Sequence, residues 1–169
     1  MAGADIFDYY ARPENAKEAR IFAGSMADVS ALTIQGAMAA LDIEGVSTVV
    51  DIGGADGQFV LELMAANPGL RGQVLDLPHA VGGARAEAAK RGLCDRFSAV
   101  AGDFFAQVPA ADLYLIKTVL HDWADGQAVT ILRNCRAAAP AGGRAVVVET
   151  VVGDPGTPGG YYGLALQAA

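Results

Sequence analysis

Four carboxylates, a lysine and a histidine fall where short apolar runs of this chain give out. They are Asp51 in VVDIGGADG, Asp76 in VLDLP, Asp103 in AGDFF, Lys117 and His121 in LIKTVLHDW, and Glu149 in AVVVE. Asp51 leads directly into a loop holding Gly53, Gly54 and Gly57. Glycines after a buried strand let the backbone approach a ligand closely, and the helix that follows turns its N–H end toward the same place. In dinucleotide enzymes such a turn cradles a pyrophosphate, beside which a carboxylate is poorly placed, so Asp51 implies a cationic or amine-bearing ligand at the mouth of the strand. S-adenosylmethionine carries both a sulfonium and an ammonium. Asp76 lies beyond the loop by the spacing at which an acid accepts hydrogen bonds from ribose hydroxyls. Asp103 with Phe104 offers an acceptor for an exocyclic amine beside an aromatic face, which suits adenine. Each acid also has a structural reading: Asp76 and Asp103 are placed to cap the segments that follow them, with Phe104 and Phe105 as core. An acid closing three consecutive strands is what favours a ligand.

The elements that must position these residues follow from hydrophobic periodicity. Residues 14 to 42 carry apolar positions at helical spacing (Ile21, Phe22, Met26, Val29, Leu32, Ile34, Met38, Leu41) behind Pro13, which predicts one or two helices. From Val46 onward short apolar runs alternate with helix-like stretches. They predict strands at 46–52, 72–76, 96–101, 111–117 and 143–151, and helices at 57–66, 79–91 and 124–139. Strand interiors such as LYLIK and AVVVE are nearly continuous apolar runs, as in strands buried on both faces. The predicted fold is α/β, a doubly wound and mostly parallel sheet. The tail GDPGTPGGYYGLALQAA reads as a loop leading into the start of a helix.

Composition narrows the partners. A chain of 169 residues is long enough for one α/β core, and a net charge of -7 without any basic run opposes binding to nucleic acid or anionic membrane. The acidic, mixed N-terminus is unlike an export signal, and no apolar stretch approaches the length of a membrane span. Cys94 and Cys135 lack metal-ligand spacing and read as two reduced, largely buried thiols, which agrees with a cytoplasmic location. No metal site is indicated.

The segments VVDIGGADGQF, QVLDLPHAV, VAGDFF and, above all, LIKTVLHDWADGQAVTILRNCRAAAPAGGRAVVVE resemble consecutive motifs of the small-molecule O-methyltransferases, which include plant caffeate-type and bacterial polyketide-tailoring enzymes. The match keeps its spacing from about Phe22 to Glu149. It implies a Rossmann-like class I methyltransferase sheet that binds S-adenosylmethionine and releases S-adenosylhomocysteine. By the resemblance, Gly53, within the turn that includes Asp51, Gly54 and Gly57, lies against the methionine part of the cofactor. Asp76, with Leu77, binds ribose; Asp103 and Phe104, with Gly102, hold adenine; Lys117 lies beside the cofactor. His121 matches the general base, Asp122 its neighbour in the HDW motif, and Glu149 a carboxylate that orients the histidine. Phe22 and Met26 resemble a pair lining the pocket of a hydroxylated small-molecule acceptor.

The chemistry agrees with these roles. Methyl transfer requires alignment of nucleophile and methyl group and removal of a proton, and a phenol of pKa near 10 needs a base that titrates near neutrality.

Residues 1–44 are expected as a helical segment and 45–169 as the S-adenosylmethionine-binding α/β domain, incomplete at its C-terminus. The family carries a sizeable N-terminal helical domain and a C-terminal antiparallel strand pair, and this chain resembles it without most of either; where the family has a third consecutive glycine it has Ala55. A sheet lacking its last strands would expose an unpaired edge at 143–151, so homo-oligomeric pairing through that edge, the tail or the N-terminal helices is expected. Two rival readings remain. One is an inactive cofactor-binding or interaction module that needs a partner chain. The other, an NAD-binding oxidoreductase, is opposed by Asp51 and by the lack of a Ser/Tyr/Lys constellation.

Overall fold

The apolar runs Thr48–Ile52 (β1), Arg71–Asp76 (β2), Phe97–Ala101 (β3), Leu113–Lys117 (β4) and Arg144–Val151 (β5) lie side by side as parallel strands. A sixth strand, Tyr161–Ala168 (β6), joins β5 antiparallel. The computed structural model describes residues 9–10, 12–151 and 161–168, with the side chains of 22–24, 26–29, 151 and 161–168 outside that description. Strand order is β3-β2-β1-β4-β5-β6. The chain winds outward from β1 to β3 and then returns to set β4 on the other side of β1. That reversal places a crevice outside the carboxyl ends of β1 and β4, the position at which α/β sheets take their ligands.

The described α-helices include Ala16–Ala40 (α1), which precedes the sheet in sequence, and Gln58–Ala66 (α2), Ala84–Lys90 (α3) and Asp125–Ala138 (α4), which alternate with its strands. The chain divides into two units, Met1–Ala39 and Ala40–Ala169. In the first, Pro13 opens a short 3-10 turn, Pro13–Asn15, that runs into α1, as a proline that lacks an N–H suits a helix start. In the second, strand alternation sorts side chains to the two faces. Val50 and Ile52 of β1, with Leu75, Tyr114 and Ile116, form one buried cluster with Ile131 and Cys135 of α4. The opposite face of β1 turns toward α2. At the other end of the sheet, Asp112 Oδ2 accepts hydrogen bonds from Ser47 N, Thr48 N and Thr48 Oγ1 at 3.0, 2.8 and 2.8 Å, tying the start of β1 to that of β4.

Three sequence expectations need correction. Where the tail was expected to start a helix, Tyr161–Ala168 form strand β6, paired with β5 from Arg144 opposite Ala168 to Val151 opposite Tyr161. The β5 edge is therefore covered within the chain, which removes the physical reason for expecting association through 143–151. The helix predicted at 79–91 is a 3-10 turn, Val81–Gly83, followed by the shorter α3, because Pro78 and the Gly82–Gly83 pair weaken its first half. Cys94 is exposed and only Cys135 is buried, its thiol pushed up to about 12 by burial. Among the described residues no helix is long and apolar enough to cross a membrane.

Gly72 of β2 shows how closely α2 sits on the sheet. A Cβ there would meet Met64 Sδ, and Val60 Cγ2 at 2.6 Å, both on α2. Gly72→Ala is expected to lower the unfolding free energy by about 1–3 kcal/mol. Gly69→Ala, where no atom lies within 4 Å of an added Cβ, should change it by less than about 0.5 kcal/mol. Thermal or urea unfolding of the two variants checks the difference.

Candidate active site

The glycine turn is built around a side chain beneath it. Asp51 is 1% exposed and its Oδ2 accepts the Val60 N–H of α2 at 3.3 Å. A Cβ on Gly54 would meet Asp51 Cγ, with both carboxylate oxygens within 2.8 Å, so only glycine fits above it. Asp51 is therefore enclosed under the turn and away from the mouth of the strand. Alternation on β1 directs it to the α2 face, which its position at the strand end did not reveal. Burial raises its carboxyl to about 7, opposed by the Val60 hydrogen bond and Lys117 and reinforced by Asp76 and Asp56.

Gly53 (φ 66°), Ala55 (φ 49°) and Gly57 (φ 76°) all take left-handed backbone. Ala55 accepts there a strain of about 1 kcal/mol that glycine avoids. Any side chain at Gly53 would enter the space against Val119 Cγ2 (2.8 Å from an added Cβ) and Phe104 Cε1 (3.8 Å). Gly53 N–H donates to Leu75 O at 2.8 Å, fastening the turn to β2.

Around this bare backbone stand the groups expected to hold a nucleoside. Asp76 Oδ2 accepts Ala55 N–H at 2.9 Å and Oδ1 accepts Leu77 N–H at 2.7 Å, while the Leu77 side chain is 46% exposed. Gly102 N–H donates to Asp76 O at 3.0 Å, drawing the end of β3 to β2. Asp103 Oδ1 accepts Phe105 N–H at 2.8 Å, so it caps its own turn as the structural reading allowed. A carboxylate oxygen has a second lone pair, so neither acid is exhausted by these bonds. The crevice thus combines a turn with no room for a side chain at Gly53 or Gly54, two partly satisfied carboxylates, a half-buried phenyl ring and an exposed leucine. That set fits a ligand with hydroxyls, an aromatic base and positive charge better than a pyrophosphate.

On the other side of the switch point the chain leaves β4 through Thr118, a non-glycine residue at φ 52°. This reversal starts the 3-10 turn Leu120–Asp122, and Glu149 of β5 secures it. Glu149 Oε1 accepts Val119 N–H at 3.0 Å and Leu120 N–H at 2.9 Å, and Oε2 lies 2.7 Å from His121 Nδ1. His121 Nε2 faces Asp122 Oδ1 at 3.3 Å. The histidine is half-exposed at the crevice, its orientation set by a carboxylate that is itself positioned by backbone. Lys117 Nζ lies 3.3 Å from Thr118 Oγ1. Burial holds its ammonium below the ordinary lysine range, against the pull of Asp51, Glu149 and Asp56.

The structure thus gathers the turn, Asp76, Leu77, Gly102, Asp103, Phe104, Lys117, His121, Asp122 and Glu149 at the carboxyl ends of five parallel strands. The side chains of Phe22 and Met26, expected at an acceptor pocket, lie outside the described residues. Sequence reasoning missed Thr118 and the backbone clamp of Glu149. The first has no sequence signature. The second could have been anticipated from the adjacency of β4 and β5, which sets their carboxyl ends side by side.

A reversing parallel sheet with glycines after β1 and acids closing β2 and β3 is an α/β domain with a crevice at its switch point, and a carboxylate-held histidine stands beside that crevice. Comparison with known proteins makes the class specific. A family model described as an O-methyltransferase domain matches residues 1–160, and this chain belongs to that family. It is 40% identical over 157 residues to the O-demethylpuromycin-O-methyltransferase of Streptomyces alboniger, covering 90% of this chain and 41% of that protein. The solved mitomycin 7-O-methyltransferase superposes with a TM-score of 0.82 at 36% identity, over 93% of this chain and 46% of that one. An O-methyltransferase of neocarzinostatin biosynthesis, solved with S-adenosylmethionine and 2-hydroxy-5-methyl naphthoic acid, superposes with a TM-score of 0.79 at 35% identity, over 88% and 46%. The chain spans less than half the length of these relatives, and its sheet has the class I methyltransferase fold they share.

Asp51 generates a prediction about pH. Its carboxyl keeps its proton in the folded chain up to about 7, whereas an unfolded aspartate loses it near about 4. The resulting contribution to stability is complete below about pH 4 and is lost as pH rises through about 7. Asp51→Asn removes that titration. The fall in unfolding free energy between about pH 5 and about pH 8, measured with urea, should be smaller in the variant by about 2–3 kcal/mol. Equal falls would show that Asp51 is already ionised in the folded protein.

Proposed function

We propose that this chain carries the cofactor- and base-bearing part of an S-adenosylmethionine-dependent O-methyltransferase, whose acceptor is a hydroxyl of a small aromatic or polyketide molecule. The observation that carries the reading is the Glu149 carboxylate, which holds His121 Nδ1 at 2.7 Å while accepting two N–H groups of the turn that bears the histidine. When bound, the cofactor supplies a methyl group already activated by its sulfonium. This chain's residues then have two tasks: to align the reactants and to remove a proton.

Asp76 would accept from the ribose hydroxyls, Asp103 from the exocyclic amine of adenine, and Phe104 would give the ring an apolar neighbour. The turn at Gly53 would admit the methionine part. Leu77 and Gly102 line the nucleoside side, and Lys117 stands between the two halves of the site. With Nδ1 engaged by Glu149, Nε2 is the nitrogen left to act as base; it faces Asp122 Oδ1 at 3.3 Å, and an acceptor hydroxyl seated beside it would give its proton to Nε2 as its oxygen attacks. Glu149 then stabilises the imidazolium so formed, the part an acid plays in hydrolase triads. Asp122, 3.3 Å from Nε2, supports the same charged form. The acceptor hydroxyl must take that position at Nε2 for the base to act.

His121→Ala is expected to abolish methyl transfer, a loss of at least about a hundredfold from removing the base. S-adenosylhomocysteine affinity by calorimetry should stay within a few-fold of the parent. Unchanged turnover would remove His121 from the mechanism, and absence of S-adenosylhomocysteine binding by the parent would remove the cofactor.

A further inference from the structure

The loop that carries Asp103 and Phe104 is held from outside by a residue with no part in the scheme above. Asn134 lies on α4, and its Nδ2 donates to Phe104 O at 2.8 Å and to Phe105 O at 2.9 Å. A side-chain amide nitrogen has two hydrogens, and here each meets one of two consecutive carbonyls. We propose that Asn134 is a positioning residue that sets the Asp103–Phe104 loop against the turn bearing His121, and through it the selection of adenine. This rests on the cofactor reading given above.

The loop has no strand partner to define it, since β3 ends at Ala101. Its inward N–H groups are taken by Asp103: Phe105 N by Oδ1 at 2.8 Å, and Ala106 N and Gln107 N by the carbonyl at 3.0 and 3.1 Å. Its outward carbonyls go to Asn134. Backbone groups on both sides of the turn are thereby satisfied, which leaves it little freedom to drift. Asn134 is itself well anchored, because Ile131 and Cys135 on the same face of α4 are buried in the core. An asparagine in a helix interior is a weak helix former that usually turns to water or bonds its own backbone; this one is half-buried and bonds a distant loop.

Fixing the loop also fixes its aromatic rings. Phe105 meets Trp123 edge-on with centroids 4.7 Å apart, and Phe104 meets it at 6.0 Å. Trp123 follows the His121 turn directly, its N–H donating to Leu120 O at 3.2 Å. Phe104 Cε1 also lies 3.8 Å from where a Gly53 Cβ would stand. One ring therefore stands beside the glycine turn and edge-on to the tryptophan that follows His121, and Asn134 bonds the carbonyl of the residue that carries it.

The test uses the full chain with Asn134→Asp, which turns the donors into acceptors facing carbonyls, and Asn134→Leu, which removes the donors without adding charge. Calorimetry compares S-adenosylhomocysteine with its inosine analogue, in which a carbonyl replaces the exocyclic amine. The parent is expected to prefer S-adenosylhomocysteine by about tenfold or more, and each folded variant to lose about tenfold in that affinity, the size of one to two net hydrogen bonds. Its preference over the analogue should collapse to near parity. A variant with a lowered melting temperature but the parent's affinity and preference would make Asn134 merely structural and overturn the proposal. A parent that binds neither compound would instead remove the cofactor reading, and this inference with it.

Discussion

The upper part of the sheet is assembled over a carboxyl group that water barely reaches. Asp51 lies under the glycine turn and accepts Val60 N–H, so the first turn of α2 is pinned to the end of β1. The space above it is closed to any side chain at position 54. What remains for the turn is backbone alone, bent through left-handed conformations at Gly53, Ala55 and Gly57. The openness of the crevice toward a ligand is thus a consequence of how tightly its floor is filled.

The same device recurs along the row of strand ends. In a parallel sheet every carboxyl end faces one side, and each must be followed by a loop whose N–H groups have lost their ladder partners. Acidic side chains at those ends supply the missing acceptors, often across to a neighbour: Asp76 of β2 to Ala55 in the loop after β1, and Glu149 of β5 to Val119 and Leu120 in the loop after β4. Asp103 serves its own turn. These carboxylates hold the loops in place and keep lone pairs for a ligand or a histidine. Structural and chemical readings of the acids are therefore two uses of one group.

This shared use explains what could be read in the chain beforehand. The five parallel strands were legible because strands buried on both faces need unbroken apolar runs, and LYLIK and AVVVE have them. Asp76, Asp103, His121 and Glu149 come together because strand ends in such a sheet converge whatever their separation in the chain. Asp51, expected at the mouth of its strand, is buried beneath the turn, because residue order gives the end of a strand but not the face a side chain takes there. The strand β6 went unseen for a different reason. YYGLALQA alternates Tyr162, Leu164 and Leu166 with Gly163, Ala165 and Gln167, but it follows a glycine- and proline-rich stretch and is rich in the helix formers leucine, alanine and glutamine, and its extended form comes from pairing with β5. The left-handed Thr118 and the two hydrogen bonds donated by Asn134 depend on tertiary neighbours and leave no trace in spacing.

Trp123, wedged edge-on against Phe104 and Phe105 just past the histidine turn, is the single tryptophan of this chain. Its indole is therefore a native optical probe, sited where the loop carrying Phe104 and Phe105 meets the turn bearing His121. Tryptophan emission from this protein has one source, and any rearrangement at that junction can be followed in real time without attaching a label.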